Sequence, residues 1–178
     1  MATVSGYSGP RRSWTQRVVA AARLDATAYE EVEADTTATG QAAAVVVIAA
    51  ICTAIGTSDN GILGSIIGSL IAWPIWSGLT YLIGDKVFHG TATWGELLRT
   101  LGFAQAPAFL NIFGLIPFLG AFVMFITGLW VLFAGVIALR QALDITTGKA
   151  VLVALMGVIV LVMLPLVLGG AAWLSFAR

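Results

Sequence analysis

Apolar and polar positions follow one another along this chain in long blocks. From Gln41 onward, apolar runs are separated by short charged or turn-rich patches, and residues 100–139 contain no Asp, Glu, Lys or Arg. A helical crossing of a hydrocarbon layer about 30 Å thick needs about 20 apolar residues. The pattern therefore predicts helices that span a membrane, because a water-soluble domain of this length does not need so much apolar sequence.

The blocks predict five crossings and an all-α fold, a polytopic transmembrane helical bundle. The approximate spans are 41–57, 62–84, 97–115, 118–139 and 150–176. The third span is the weakest, because Gln105, Pro107 and Asn111 interrupt it, and hydropathy alone also permits a re-entrant hairpin there. Hydropathy does not decide whether this span is broken at Pro107.

The placement of Lys and Arg selects five crossings. Five crossings put eight of the nine basic residues on one side: Arg11, Arg12, Arg17, Arg23, Lys86, Arg99, Arg140 and Lys149. Only Arg178 then lies on the other side, whereas four crossings would give seven against two. Since cytoplasmic loops are rich in Lys and Arg, we expect a cell-membrane protein with its N-terminus inside and its C-terminus outside.

The first forty residues are predicted to form a cytoplasmic leader. They predict one or two short amphipathic helices lying at the membrane surface, followed by the membrane domain over 41–178. Thr27 and Glu30 have the spacing of a capping box. In a helix here, Tyr29 and Val32 fall on one face, and Glu30 and Glu31 fall on the opposite one, which is expected to be solvated.

Composition supports the membrane class. Hydrophobic residues make up 59% of the chain and charged residues 10%, against about 25% charged in soluble domains. The net charge is zero and no basic stripe is present, so nucleic acid is not an expected partner. The single cysteine, Cys52, lies in an apolar run, which excludes a disulfide within the chain and indicates a packing role.

The sequence does not contain the residues of a recognisable catalytic centre. His89 is the only histidine, it lies in the 85–96 loop, and no Cys or His pair has the spacing of metal ligands. We therefore expect no catalytic residues, no cofactor and no metal.

Two polar side chains lie inside the predicted third span. Gln105 and Asn111 should face other helices, because lipid offers them no hydrogen-bond partner. They are either interhelical contacts or, together with Pro107, part of a polar path for a small solute or ion.

Small residues in the second span suggest close helix packing. Gly64-x-x-x-Gly68, overlapped by Ser65-x-x-x-Ser69, allows two backbones to approach each other. The contact is predicted within the chain, with a homo-oligomer as the alternative.

Charged residues collect at the predicted cytoplasmic ends of the spans. Glu96 and Arg99 are three apart and would be neighbours on a helix at the mouth of the third span. With Lys86, Arg140 and Lys149 they are either interfacial anchors or a cytoplasmic gate or docking surface.

Three stretches in order resemble one family. They are the leader region 29–42, the stretch 93–107 from Thr93-Trp94-Gly95-Glu96 to Pro107, and the turn and span start 138–150. Together they resemble the Yip (Ypt-interacting protein) domain family, in its bacterial branch.

The resemblance implies five spans and a cytoplasmic N-terminus. Eukaryotic relatives are associated with Rab GTPases, vesicle traffic and membrane shaping, but this chain has no close copy of their cytoplasmic Tyr-Gly-Pro-type motif, so the trafficking role does not follow. Relatives often have Pro near the break in the leader, where this chain has Asp25. Asp25 is expected to cap the second leader helix instead.

These observations predict a non-enzymatic integral membrane protein that acts through partners. It would be a scaffold, an assembly factor or an accessory subunit of a membrane complex. Its expected partners are the lipid bilayer and another membrane protein or a second copy of itself. The alternative is a small-solute transporter or channel component.

Overall fold

All regular structure in the described part of the chain is helical. The computed structural model describes residues 11–58 and 61–176, with side chains as far as Met163. Seven α-helices are formed there: α1 (Trp14–Ala22), α2 (Ala26–Ala34), α3 (Thr39–Gly56), α4 (Ile62–Phe88), α5 (Trp94–Phe103), α6 (Gly120–Ala142) and α7 (Thr147–Phe176). There are also two 3₁₀ helices in this part of the chain: Thr36–Ala38 precedes α3, and Ala106–Leu115 follows α5. The prediction of an all-α protein is confirmed.

Within the described residues, three helices are long and apolar enough to cross a membrane. They are Thr36–Gly56, which includes α3, and the helices α4 and α6; within α7, Thr147–Met163 is a shorter apolar helix. An α-helix of 20 residues is about 30 Å long, which is the thickness of the hydrocarbon layer. The prediction of a multi-pass membrane protein is therefore confirmed at this level.

The third predicted span is divided into two elements. α5 ends at Phe103 and the longer 3₁₀ helix begins at Ala106, so the α-helix stops before Pro107. Pro107 lies in the first turn of the 3₁₀ helix, where its missing N–H removes no helical hydrogen bond. The change of helix type therefore falls at Gln105.

α5 and the longer 3₁₀ helix lie along α3 and run in the same direction. Gly102 of α5 lies against Ala42 in the first turn of α3. Asn111 donates from Nδ2 to Oγ1 of Thr53, in the last turn of α3, at 2.9 Å. The two elements together therefore accompany α3 over its full length.

α6 returns in the opposite direction. Gly120 at its start lies against the backbone of Gly114. Further along α6, Trp130 Nε1 donates to the carbonyl of Ala22 at 2.7 Å, and Gln141 Nε2 donates to Glu30 at 2.7 Å. The far end of α6 thus reaches the two N-terminal helices.

Side-chain caps fix the beginnings of α1 and α2. Ser13 and Gln16 form a capping box on α1. The Asp25 carboxylate accepts a hydrogen bond from the Thr27 N–H at 3.0 Å, as expected for the cap of α2. The predicted capping box of Thr27 and Glu30 is wrong, because the helix has already begun at Ala26.

α2 packs against α5 and α6, and this junction is part of the core of the protein. Tyr29 and Leu97 are fully buried there, and the Tyr29 hydroxyl donates to the carbonyl of Ala21 at 3.0 Å. Glu31 is also buried, with 3% of its surface exposed. The prediction that Glu31 lies on a polar outer face is wrong, because an ion pair with Arg17 holds it inside.

Candidate functional site

A groove of about 900 Å³ opens between five of the helices. α3, α5 and α6 contribute small or aliphatic side chains, and α4 contributes the indoles of Trp73 and Trp76. No charged residue lines the groove among the described residues. The volume lies within the range of small-molecule sites, about 300–1,000 Å³.

Gln105 is the strongest polar group on the wall of this groove. The change from α5 to the 3₁₀ helix places it there: its N–H donates to the carbonyl of Gly102 at 3.2 Å and its own carbonyl accepts from the N–H of Ala108 at 3.0 Å. Its side-chain amide has no hydrogen-bond partner within the described part of the chain. Pro107, which follows it, is fully buried.

Asn111 occupies a different position and joins three elements. Its amide nitrogen donates to Thr53 of α3, and its carbonyl oxygen accepts from the Thr127 hydroxyl of α6. Both polar groups of the side chain are therefore satisfied between helices. The structure thus separates the two residues: Gln105 faces the groove and Asn111 is an interhelical contact.

The small residues near the start of α4 do not meet another helix of the chain. Gly64 and Gly68 are exposed, and a Cβ added at either would have no described atom of another helix within 4 Å. Gly68, Ser65 and Ser69 line the groove. The contact predicted within the chain is therefore not formed by the two glycines in the described structure.

Arg99 is buried at the C-terminal end of α2. Its Nε donates to the carbonyl of Val32 at 3.0 Å and to that of Glu33 at 3.1 Å. The last carbonyls of a helix have no partner inside the helix and carry partial negative charge, so a guanidinium satisfies both requirements.

The other predicted charged residues lie outside this contact. Glu96 accepts from the N–H of Thr93 at 2.6 Å in the capping box of α5, and it forms no ion pair with Arg99. Lys86 is exposed and pairs with Asp85 at 2.7 Å. Arg140 and Lys149 are exposed at the same end of the bundle.

The Yip1 domain matches residues 25–170. The chain belongs to the Yip1 domain family. Comparison with curated proteins and with solved structures found no match. The predicted family is confirmed, while its bacterial branch stays a prediction.

The Yip1 domain of this protein begins at the cap of α2 and includes the groove. α1 precedes the matched interval, yet Arg17 of α1 is held by it: Nε lies 3.0 Å from Glu31 and Nη2 lies 2.8 Å from Asp35. Burial would lower the pKa of Arg17, but hydrogen bonds to the two carboxylates outweigh it and raise that pKa. Arg17 also donates to the side chain of Gln41 at 3.0 Å.

Sequence reasoning did not find this ion-pair cluster of the Yip1 domain protein. Arg17 and Glu31 lie in different helices, so no helical spacing connects them. Only the packing of α1 on α2 selects Glu31 as the buried partner.

Glu33 of the Yip1 domain has an unusual environment for a carboxyl group. Burial and, to a smaller extent, the nearby carboxylates of Glu96, Asp144 and Glu30 together raise the pKa of Glu33 to about 8, while Arg99 acts in the opposite direction. Near neutral pH this side chain is therefore largely protonated.

Proposed function

We propose that this Yip1 domain protein is a non-enzymatic integral membrane protein that acts through partners, as a scaffold, an assembly factor or an accessory subunit of a membrane complex. The observation that carries the proposal is the uncovered first half of α4. There Gly64 and Gly68 leave the backbone open to contact, and Ile67, Ile71 and Ile75 are each at least half exposed. Small residues between large apolar ones favour close approach of another transmembrane helix.

The proposed partner of this face is a helix of another membrane protein or of a second copy of the chain. The test is extraction in a native nanodisc, with identification of co-purifying proteins by mass spectrometry. Gly64→Leu should abolish association while leaving folding unchanged, because its side chain meets open space. Gly128→Leu is the matched control, since Gly128 is an equally exposed and unobstructed glycine on α6. Association that survives Gly64→Leu and Gly68→Leu would rule out this face.

A second docking surface is proposed at the end of the bundle that carries α1 and α2. Lys86, Arg140 and Lys149 are exposed there and would meet an acidic partner or anionic lipid headgroups. Arg99 and Glu96 are already engaged in holding α2 and α5, so the proposal is restricted to the three other cations.

We further propose five membrane crossings, with residues 1–40 as a cytoplasmic leader, the C-terminus outside, and the cell membrane as the location. The distribution of basic residues supports this topology. The course of α5 and the longer 3₁₀ helix along the full length of α3 supports a third crossing. Arg178, which would mark the outer side, lies outside the described residues.

Single-cysteine labelling in a Cys52→Ser background tests the topology. Five crossings place Ser58 outside and Thr91 and Thr146 inside. Ser58→Cys should therefore react with a membrane-impermeant maleimide in intact cells, and Thr91→Cys and Thr146→Cys should react only after permeabilisation. Reaction of Thr146→Cys in intact cells would instead support four crossings.

The alternative function, a small-solute transporter or channel component, has one favourable observation. The Gln105 amide faces the groove, whereas Asn111 is occupied between helices and does not contribute to a path. Flux across liposomes by the parent protein and by Gln105→Leu tests it. A parent protein without flux for a broad panel of small solutes would eliminate this function.

A further inference from the structure

The groove contains two polar side chains that the protein itself leaves unpaired. The amide of Gln105 and the hydroxyl of Ser69 line it, and neither side chain has a hydrogen-bond partner among the described residues. On the same helix as Ser69, the hydroxyls of Ser77 and Thr80 bond back to the carbonyls of Trp73 and Trp76, each at 2.9 Å. Ser69 therefore differs from Ser77 and Thr80 of the same helix.

Because the groove lies in an apolar medium, the two unpaired polar side chains are destabilising. The groove lies among the apolar helices α3, α4 and α6, which are long enough to cross the membrane. In hydrocarbon a polar group without a partner is destabilising, and the acyl chains of ordinary lipids offer neither donors nor acceptors. A molecule that brings a hydrogen-bonding oxygen into the groove would therefore bind better than a plain hydrocarbon chain.

The depth and charge of the groove define the class of ligand. Gln105 lies past Gly102, which is level with Ala42 at the start of α3, and the groove continues to Thr53 in the last turn. A phospholipid headgroup would have to leave the interface to reach Gln105, and no charged side chain among the described residues lines the groove to receive it. The ligand should be neutral.

We propose that the groove binds one neutral, long-chain membrane lipid that carries a hydroxyl or carbonyl oxygen. The oxygen bonds to the amide of Gln105, with Ser69 available as a further donor or acceptor. The hydrocarbon chain lies along the indoles of Trp73 and Trp76. The groove includes Gly68, Ile71 and Ile75 of the partner-binding face proposed for α4, while Gly64 and Ile67 of that face lie outside it.

Photolabelling with three matched probes tests the proposal. The probes are a C16 alcohol, the corresponding C16 hydrocarbon and a phosphocholine lipid, each with a diazirine at the same chain position. The full-length protein in nanodiscs should be labelled on α4 and α5 peptides most strongly by the alcohol. Gln105→Leu should reduce the ratio of alcohol to hydrocarbon labelling about fivefold, the factor of one net hydrogen bond.

A pair of glycine substitutions provides the control for occupancy. Gly135 and Gly128 both lie on α6, and a Cβ at either meets no atom within 4 Å. Gly135 lines the groove and Gly128 does not. Gly135→Leu should therefore reduce groove labelling by the alcohol at least fivefold, whereas Gly128→Leu should leave it unchanged.

Three results would overturn the proposal. Equal labelling by the three probes would show ordinary solvation by the bilayer. Unchanged alcohol preference in folded Gln105→Leu and in Gln105→Met would remove the role of the amide. Labelling that is absent in native membranes and appears only after purification would show that a partner helix occupies the groove. Thermal unfolding of each variant separates these results from misfolding.

Discussion

Individual buried charges decide how the N-terminal helices attach to the bundle. Arg17 is paired with two carboxylates of the α2 region, and Arg99 is bonded to the last carbonyls of α2. A buried charge without partners is strongly destabilising, so each arginine specifies where α2 must lie. The sequence pointed to Arg99 only as a residue at the mouth of a span, because its partners are backbone atoms 66 and 67 positions away.

Replacement of Arg99 should detach α2. We expect Arg99→Met to lower the free energy of unfolding by about 2–4 kcal/mol, since it removes charge-assisted hydrogen bonds to two carbonyls while keeping the aliphatic stem. Unfolding in bicelles and protease sensitivity of the leader measure this effect. Arg140→Met, at an exposed arginine, should change neither; equal effects of the two substitutions would contradict the assigned role.

Glu33 should make stability depend on pH. Its pKa of about 8 in the folded protein exceeds the usual value of a glutamate, so the folded state retains a proton that the unfolded chain releases. Stability is then highest in mild acid and falls as pH rises from about 4.5 through 8. The melting temperature of Glu33→Gln between pH 5 and 9 should show a smaller decline than that of the parent. Asp85→Asn, at the surface pair with Lys86, should keep the parent slope, and a Glu33→Gln slope equal to the parent slope would refute the assignment.

At the scale of elements, glycine has two opposite uses in this protein. Gly56 at the end of α3 and Gly114 in the longer 3₁₀ helix bring two backbones together, and a Cβ at Gly56 would overlap the carbonyl of Asn111. A Cβ added at Gly64 or Gly68 would meet no other helix among the described residues. The G-x-x-x-G spacing in the sequence pointed to Gly64 and Gly68. The close approach of two backbones within the chain depends instead on Gly56 and Gly114, which do not have that spacing.

Alanine substitution should distinguish these two uses. Gly56→Ala should lower the free energy of unfolding by at least about 2 kcal/mol, because the contact is with a backbone that cannot rotate away. Gly64→Ala should leave it within about 0.5 kcal/mol of the parent. Unfolding in bicelles measures both, and a neutral Gly56→Ala would mean that the two backbones are further apart than described.

The hydrogen bonds of Asn111 hold three elements together. Asn111→Leu should cost about 1 kcal/mol, since it leaves the hydroxyls of Thr53 and Thr127 without their partner, but Thr127 keeps its bond to the carbonyl of Val123. The same unfolding assay measures it. Thr57→Val, at an exposed hydroxyl beyond the end of α3, is the comparison and should cost less.

At the scale of the whole molecule, the leader is an integral part of the fold. We predict that α1 and α2 lie at a membrane surface; in addition, Tyr29 and Val32 are almost completely buried, and Trp130 of α6 bonds to the end of α1. Burial in one core implies that α2 unfolds together with the elements that it packs against.

Hydrogen exchange tests whether α2 unfolds together with the elements that it packs against. The amides of α2 should be protected to a degree similar to those of α5, within about tenfold, because opening of either exposes the same core. A helix held only by lipid would exchange much faster than α5. Mass-spectrometric exchange in nanodiscs distinguishes the two, and rapid exchange of α2 alone would refute the docked arrangement.

The sequence alone determined the class, the helical fold and the family, because long apolar blocks have few solutions in a hydrocarbon medium and their order is a property of the chain. It also determined the cap at Asp25, because a cap depends on neighbours along the chain. Tertiary structure alone decided that Glu31 is buried, that Asn111 joins helices while Gln105 faces a groove, and that the helix type changes at Gln105. Each of these features depends on which helices pack against each other. Contacts between residues far apart in the sequence decide that packing.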